Sequence, residues 1–283
     1  MRGLDVARQG RRSRSHVLHA GATEDAASRH PGRAGGTRFM VPRALTPVGV
    51  ALVDKPAGPS SFALVAALRR RTLARTGHAG TLDPFATGLL VLLSGAATRL
   101  APCFVGLDKR YVTDVDLTAT TSTGDPEGEV LERHPAPERA ALDGALARLR
   151  GEVELPIPAA SAVKIGGERA YRLARRGVEV EMPLRRSRVH ALDVIAYSGE
   201  ATAPASVRLE LHVGSGTYVR SIAAALGGHC TTLRRTAVGP FAVEEATAVD
   251  DARLLPAAEA LGRLPAEALE RVPVAIREGV LAL

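Results

Sequence analysis

From Val48 onward the chain alternates short apolar runs with links punctuated by glycine and proline. VGVALVDKP reads as a buried strand entering a turn at Lys55-Pro56 and Gly58-Pro59, after which Ser60 or Ser61 caps a helix. That helix is expected to present Phe62, Val65 and Leu68, with Leu64, on its apolar face. It ends in Arg69, Arg70 and Arg71, cations suited to a helix C-terminus. An apolar strand is predicted at Leu89–Leu93, a short helix near Thr98, an alternating strand at Tyr111–Leu117 and then a polar loop, TSTGDPEGE. Ala141, Leu142, Ala145, Leu146 and Leu149 fall at helical spacing within Pro137–Leu149, and a second helix is expected over Glu168–Arg176. Strands follow at Val189–Tyr197 and Val207–Val213, then a helix over Tyr218–Leu226 behind the turn at Gly214 and Gly216. Strands and helices mix without regular alternation, which predicts an α+β fold with a mixed, mostly antiparallel central sheet flanked by helices.

The first 46 residues lack hydrophobic periodicity and are rich in Arg, Gly, Ser and Ala, so they are expected to be a disordered basic extension. A basic tail and a start assigned too early both explain them better than a transit peptide, and the pattern favours Met40 as the start. The folded body is expected over 47–241, with a short segment, 242–283, after it. Charge divides along the same lines. The net charge is +7, but 1–46 carries nine Arg against three acids and 242–283 four Arg against eight acids, leaving +5 on the body. Basicity alone therefore supports a nucleic-acid partner only weakly. The two cysteines, Cys103 and Cys230, have no CxxC spacing, which suggests neither a disulfide framework nor a structural zinc site and fits a reducing cytoplasm. The longest apolar run is far below the roughly 20 residues of a membrane span.

The segment GHAGTLDPFATG, Gly77 to Gly88, sets one carboxylate, Asp83, among small uncharged residues. Glycines and Pro84 make it poor strand and poor helix material, so it reads as a shaped loop that holds Asp83. Taken singly, an Asp before proline is a turn former and Arg220 an ordinary arginine at a helix start. GSGTYV lacks the third glycine and distal acid of a dinucleotide fingerprint. What matters is the joint occurrence of the Asp83 loop with DKPAG (Asp54–Gly58), DKRY (Asp108–Tyr111), SAVKIGGERAY (Ser161–Tyr171), GSGTYVRS (Gly214–Ser221) and LRRTAVGPF (Leu233–Phe241).

In that order and at that spacing these motifs resemble the TruB family of tRNA pseudouridine synthases, over about residues 48–241. The resemblance implies isomerisation of uridine to pseudouridine in the T arm of tRNA, with no cofactor, no metal and no guide RNA; nothing in the sequence suggests a coiled coil or other obligate interface, so a monomer is expected. It implies that Asp83 is the catalytic carboxylate and that Arg220 pairs with it. An arginine offers a planar fork matched to a carboxylate and favours its ionised form. Tyr111 is implied to touch the target uracil as a candidate base in proton transfer, Tyr218 to stack beneath it and Leu233 to pack beside it. The alternative for both tyrosines is the sheet core. His78 is implied to enter the tRNA loop, and Lys55 to lie near the RNA or the wall of the site in a mainly structural role. Arg234 and Arg235 either contact phosphate or cap the sheet. Arg172, Arg175, Arg176, Arg185, Arg186 and Arg188 form a basic stretch suited to an RNA backbone or to a solvated face.

Some positions depart from the family pattern. Leu155 replaces a Gln, Ala160 an aromatic, Thr118 a common glycine, and GGHCTT is a short link. Residues 242–283 look too short for a complete PUA-type RNA-binding domain, so an incomplete one, with reduced reliance on the acceptor end of tRNA, is expected.

Overall fold

The computed structural model describes residues 47–283 apart from 162, 166, 171–175 and 177–181. In chain order the elements are β1 (Gly49–Lys55), α1 (Ser61–Thr72), β2 (Thr76–His78), β3 (Thr87–Ser94), a 3-10 turn (Gly95–Leu100), α2 (Ala101–Val105), β4 (Lys109–Asp116), β5 (Ala119–Thr121), β6 (Val130–Arg133), α3 (Arg139–Arg148), β7 (Gly151–Pro156), β8 (Lys164–Ile165), β9 (Glu168–Arg169), β10 (Leu184–Gly199), β11 (Pro204–Val213), α4 (Val219–Ala225), β12 (His229–Val238), β13 (Phe241–Ala242), α5 (Ala257–Gly262), α6 (Ala266–Leu269) and α7 (Val274–Leu281). Nine strands make one sheet in the order β1-β3-β12-β4-β11-β10-β7, with β2 on β3 and β13 on β12. Among the described strands of this sheet every pairing is antiparallel except β3 with β12. The α+β architecture with a mostly antiparallel sheet is the one expected.

Both faces of the β1–β3 half are covered, which is why GVALVDK and TGLLVLLS read as nearly continuous apolar runs. On one face Val50, Leu52, Leu89, Val91 and Leu93 pack with Phe104, Phe241 and the C-terminal helices. On the other, Ala51, Val53, Leu90 and Leu92 meet Leu64 and Leu68 of α1. The second half of the sheet, β4, β10, β11 and β12, encloses a separate cluster with Leu142 and Leu146 of α3 and Ile222 of α4.

Several local expectations change. Ser60 is the cap of α1, accepting from the Ala63 amide, while Ser61 turns inward. Phe62, expected on the buried face, is 68% exposed, because Ser61, Leu64 and Leu68 form that face. Gly77 and His78 belong to β2, which shortens the free loop to the residues between His78 and Thr87. Glu168 and Arg169 pair as a strand with β8 rather than starting a helix, and 171–175 lie outside the described residues. The strands β7 and β12 were not expected at all.

Residues beyond β13 run along the outer edge of β1. Val50 and Leu255 exchange backbone hydrogen bonds of 2.9 and 2.7 Å, Thr247 receives the Asp54 amide and donates to Leu52, and Arg71 of α1 donates to the carbonyls of Val249 and Ala252. The segment thereby covers an edge strand that would otherwise offer unpaired backbone groups.

Candidate active site

The loop carrying Asp83 has its backbone polar groups met by side chains from three separate elements, β1, α1 and β12. Lys55, at the end of β1, is fully buried and donates to the carbonyls of Pro56, Pro84 and Ala86 at 2.9, 2.9 and 2.7 Å. Ser61 Oγ both accepts from the Leu82 amide and donates to its carbonyl, each at 2.9 Å. Arg235 of β12, 1% exposed, donates to Leu89 O at 2.6 Å, Thr81 O at 3.2 Å and Gly80 O at 3.1 Å. The Gly58 amide reaches Pro84 O, and the Ala86 amide closes a turn on Asp83 O. A buried backbone needs such partners, and here they fix the position of the Asp83 Cα.

 Lys55, expected near the RNA or the wall of the site, is buried against the Asp83 loop and has no exposed surface to offer RNA. Of the two open roles for Arg234 and Arg235, phosphate contact is excluded for Arg235 by its burial, while Arg234 forms a two-pronged pair with Asp54 at 3.1 and 2.8 Å. Burial pushes the Lys55 ammonium down to about 8, against the pull of the Asp83 and Glu127 carboxylates.

Asp83 itself is about one-third exposed, with its side chain at 35%. Arg220, in the first turn of α4 and 3% exposed, approaches Asp83 Oδ2 through Nε at 2.9 Å. Its other nitrogens are committed elsewhere, Nη1 to Thr123 O at 2.7 Å and Nη2 to Ala160 O at 2.9 Å. The pairing is therefore present, but the guanidinium does not spend its whole fork on Asp83. A second carboxylate, Asp125, lies 3.3 Å from Nη1 and is itself buried. It also accepts from Thr123 Oγ1 at 2.5 Å and from the Glu127 amide at 3.0 Å. A cation at a helix N-terminus opposes the helix dipole, and two carboxylates offset that cost.

Asp125 was missed in the sequence because it sits in a polar, glycine-rich loop where an acid is unremarkable. Its signal is the TGD turn: Gly124 has φ +71° and turns the chain so that Asp125 points inward. Ala160, where the family pattern has an aromatic, contributes through its carbonyl. The Asp83 carboxyl is held above its ordinary range, first by burial; Arg220 pulls it down, and Asp125 pushes it up again. Arg220 thus favours the ionised form as expected, but burial outweighs it.

The remaining predicted residues fall around this array. Tyr111 on β4 and Leu233 on β12, 8% and 7% exposed, share one apolar cluster with Leu82 and Ala86, which flank Asp83 in the loop. Tyr218 caps α4 two residues before Arg220, half-buried, with the Arg185 guanidinium 5.9 Å from its ring centroid. His78 ends β2, with its ring edge-on to exposed Phe62 at 5.1 Å and its Nδ1 buried without a partner. Burial, then Arg235, lowers its pKa, which favours the neutral ring. In the basic stretch, Arg176 pairs with Glu168 and Arg188 with Glu152, Arg185 and Arg186 are exposed, and Arg172 and Arg175 lie outside the described residues.

Residues 69–219 match the model of the TruB family pseudouridylate synthase N-terminal domain. A tRNA pseudouridine synthase B of Thermobifida fusca is 43% identical over 229 residues, covering 75% of this chain and 78% of that one. One from Mycobacterium tuberculosis is 41% identical over 218 residues, covering 74% and 73%. Among solved structures, a chain from a Cbf5-Nop10-Gar1 complex matches with a TM-score of 0.53 at 27% identity, over 71% of this chain and 54% of that one. The aspartate–arginine array, the clamped loop and these similarities agree, and the chain belongs to the TruB family of pseudouridylate synthases.

Proposed function

We propose that the protein isomerises a uridine of the tRNA T arm, the one conventionally numbered 55, to pseudouridine, and that it does so without a guide RNA. The observation that carries this reading is Asp83, partly exposed on a loop whose backbone is clamped and paired at 2.9 Å with a buried arginine. The reaction breaks the bond from N1 of uracil to the sugar, turns the detached base, forms the bond from C5 and releases the C5 proton. A preorganised carboxylate at the sugar–base junction serves such a step as nucleophile or as charge stabiliser. Tyr111, Leu233 and Tyr218 supply walls that retain a detached uracil. The target must first leave its stack, at a cost of a few kcal/mol, and in this reading His78 fills the vacated position.

Two observations favour a stand-alone enzyme. Relatives at 41–43% identity are named as tRNA enzymes, whereas the chain from the Cbf5 complex stands at 27%. The test is incubation of the purified protein with an unmodified tRNA transcript and no other RNA, followed by carbodiimide mapping. Pseudouridine at the T-arm position is the expected result. Its absence, with product appearing only when a guide RNA is added, overturns the reading. A binding protein without chemistry is separated by Asp83→Asn, which should abolish product while tRNA binding persists.

A further inference from the structure

Where the starts of β4 and β10 meet the end of β11, three side chains of metal-ligating type come together. Asp108 precedes β4, His190 lies in β10 and His212 in β11, and one potential ligand atom from each lies within 4.8 Å of the other two. Asp108 Oδ2 is 3.2 Å from His190 Nε2 and 3.8 Å from His212 Nε2. The imidazole centroids are 4.7 Å apart with the rings tilted by 37°.

We propose that Asp108, His190 and His212 bind a divalent transition-metal ion of the zinc class, with water completing the coordination. Three features carry the proposal. Bonds of about 2.0–2.2 Å around a tetrahedral ion set neighbouring ligand atoms about 3.3–3.5 Å apart, a spacing bracketed by the two observed Asp–His distances. Two imidazoles and one carboxylate form a donor set suited to zinc rather than to calcium or magnesium, which take oxygen ligands. The third feature is a β-bulge. The register of β10 on β11 passes from Val189 opposite Val213 to Ala191 opposite His212, leaving His190 as the extra residue. A bulge re-aims the side chain it carries, and here that side chain is the one brought to Asp108.

Arg110, opposite His212 in the register of β4 on β11, opposes a bound cation and limits its affinity. The side chains are 29%, 29% and 45% exposed for His190, His212 and Asp108, which leaves an entry path for the ion. A bound ion would tie the start of β4 to β10 and β11.

The test compares the full chain with His190→Ala and Asp108→Asn after chelator treatment, using zinc chloride titration and the visible spectrum of bound cobalt. The comparison is made by difference because His16, His19 and His30 also lie in the chain. The wild type should bind one more equivalent than either variant, or bind its tightest equivalent at least about tenfold more strongly, a fold-change in line with ligand-shell losses. Its cobalt spectrum should be tetrahedral, and zinc should raise its Tm but not that of the variants. Matching melts of all three proteins in chelator verify that the variants fold. Equal isotherms and equal zinc-induced Tm shifts in the three proteins overturn the proposal.

Discussion

At the scale of single residues, the decisive balance is at Asp83, where burial raises the carboxyl pKa and Arg220 lowers it. A step that needs the ionised carboxylate must therefore lose rate on acidification with a midpoint above the ordinary 3.8. A pH profile of kcat/KM on a short T-arm RNA measures this, and a midpoint at or below the ordinary value would contradict the assignment. Asp125 gives a sharper version. Asp125→Asn removes a charge that pushes Asp83 up, so the acid midpoint should fall. It also weakens the seat of Arg220, so kcat should drop by about 10²-fold, the order expected when a reacting group shifts by 1 Å. Arg220→Lys should lose rate severely as well, since an ammonium cannot serve Asp83, Asp125 and the carbonyls of Thr123 and Ala160 together. The sequence displayed Asp83 and Arg220 through their motifs, but not Asp125, whose role exists only because α4 folds over its loop. The residues of the proposed ion site were equally hidden, since positions 108, 190 and 212 make no local pattern and one of them is aimed by a bulge.

At the scale of elements, the loop from β2 to β3 depends on two buried cations, Lys55 and Arg235, whose hydrogen bonds go to backbone carbonyls. Lys55→Met leaves the carbonyls of Pro56, Pro84 and Ala86 without their donor and should cost about 1–3 kcal/mol for the buried groups left unpaired. Because the released backbone carries Asp83, activity should fall further than Tm does. Paired measurement of Tm and kcat tests this, and a variant with lower stability but unchanged kcat would show that the clamp does not position Asp83. The last glycine of GHAGTLDPFATG is required by the sheet and not by the loop. At Gly88 the reason is internal: φ is +99°, and a Cβ would strike the backbone of Arg235 where β3 meets β12. The strand β12 itself was not legible. HCTTLRRTAV places two arginines side by side, one of them buried, and irregularities after Cys230 and Arg235 break the alternation by which a strand is recognised. Long-range pairing with β3 and β4 overrides what the local pattern suggests.

At the scale of the whole molecule, the segment after β13 shares the core of the catalytic body. Leu261, Leu264, Val272 and Val280 are buried in the same cluster as Val50, Leu89 and Phe104. Burial of such side chains stabilises by about 1.5–3 kcal/mol each, so these four contribute on the order of 6–12 kcal/mol. That is comparable with the roughly 5–15 kcal/mol by which a native domain is stable. The backbone bonds from Thr247 and Leu255 to β1 would be lost with them, exposing an edge strand whose residues are almost all buried. A chain ending at Ala246 should consequently fail to give a cooperative melt, or aggregate, rather than retain the fold with weaker tRNA binding. Thermal unfolding and size-exclusion chromatography of that truncation decide the matter. A soluble, cooperatively melting product with reduced affinity only for the acceptor end would instead assign the segment to RNA binding, the role an incomplete PUA-like domain implies.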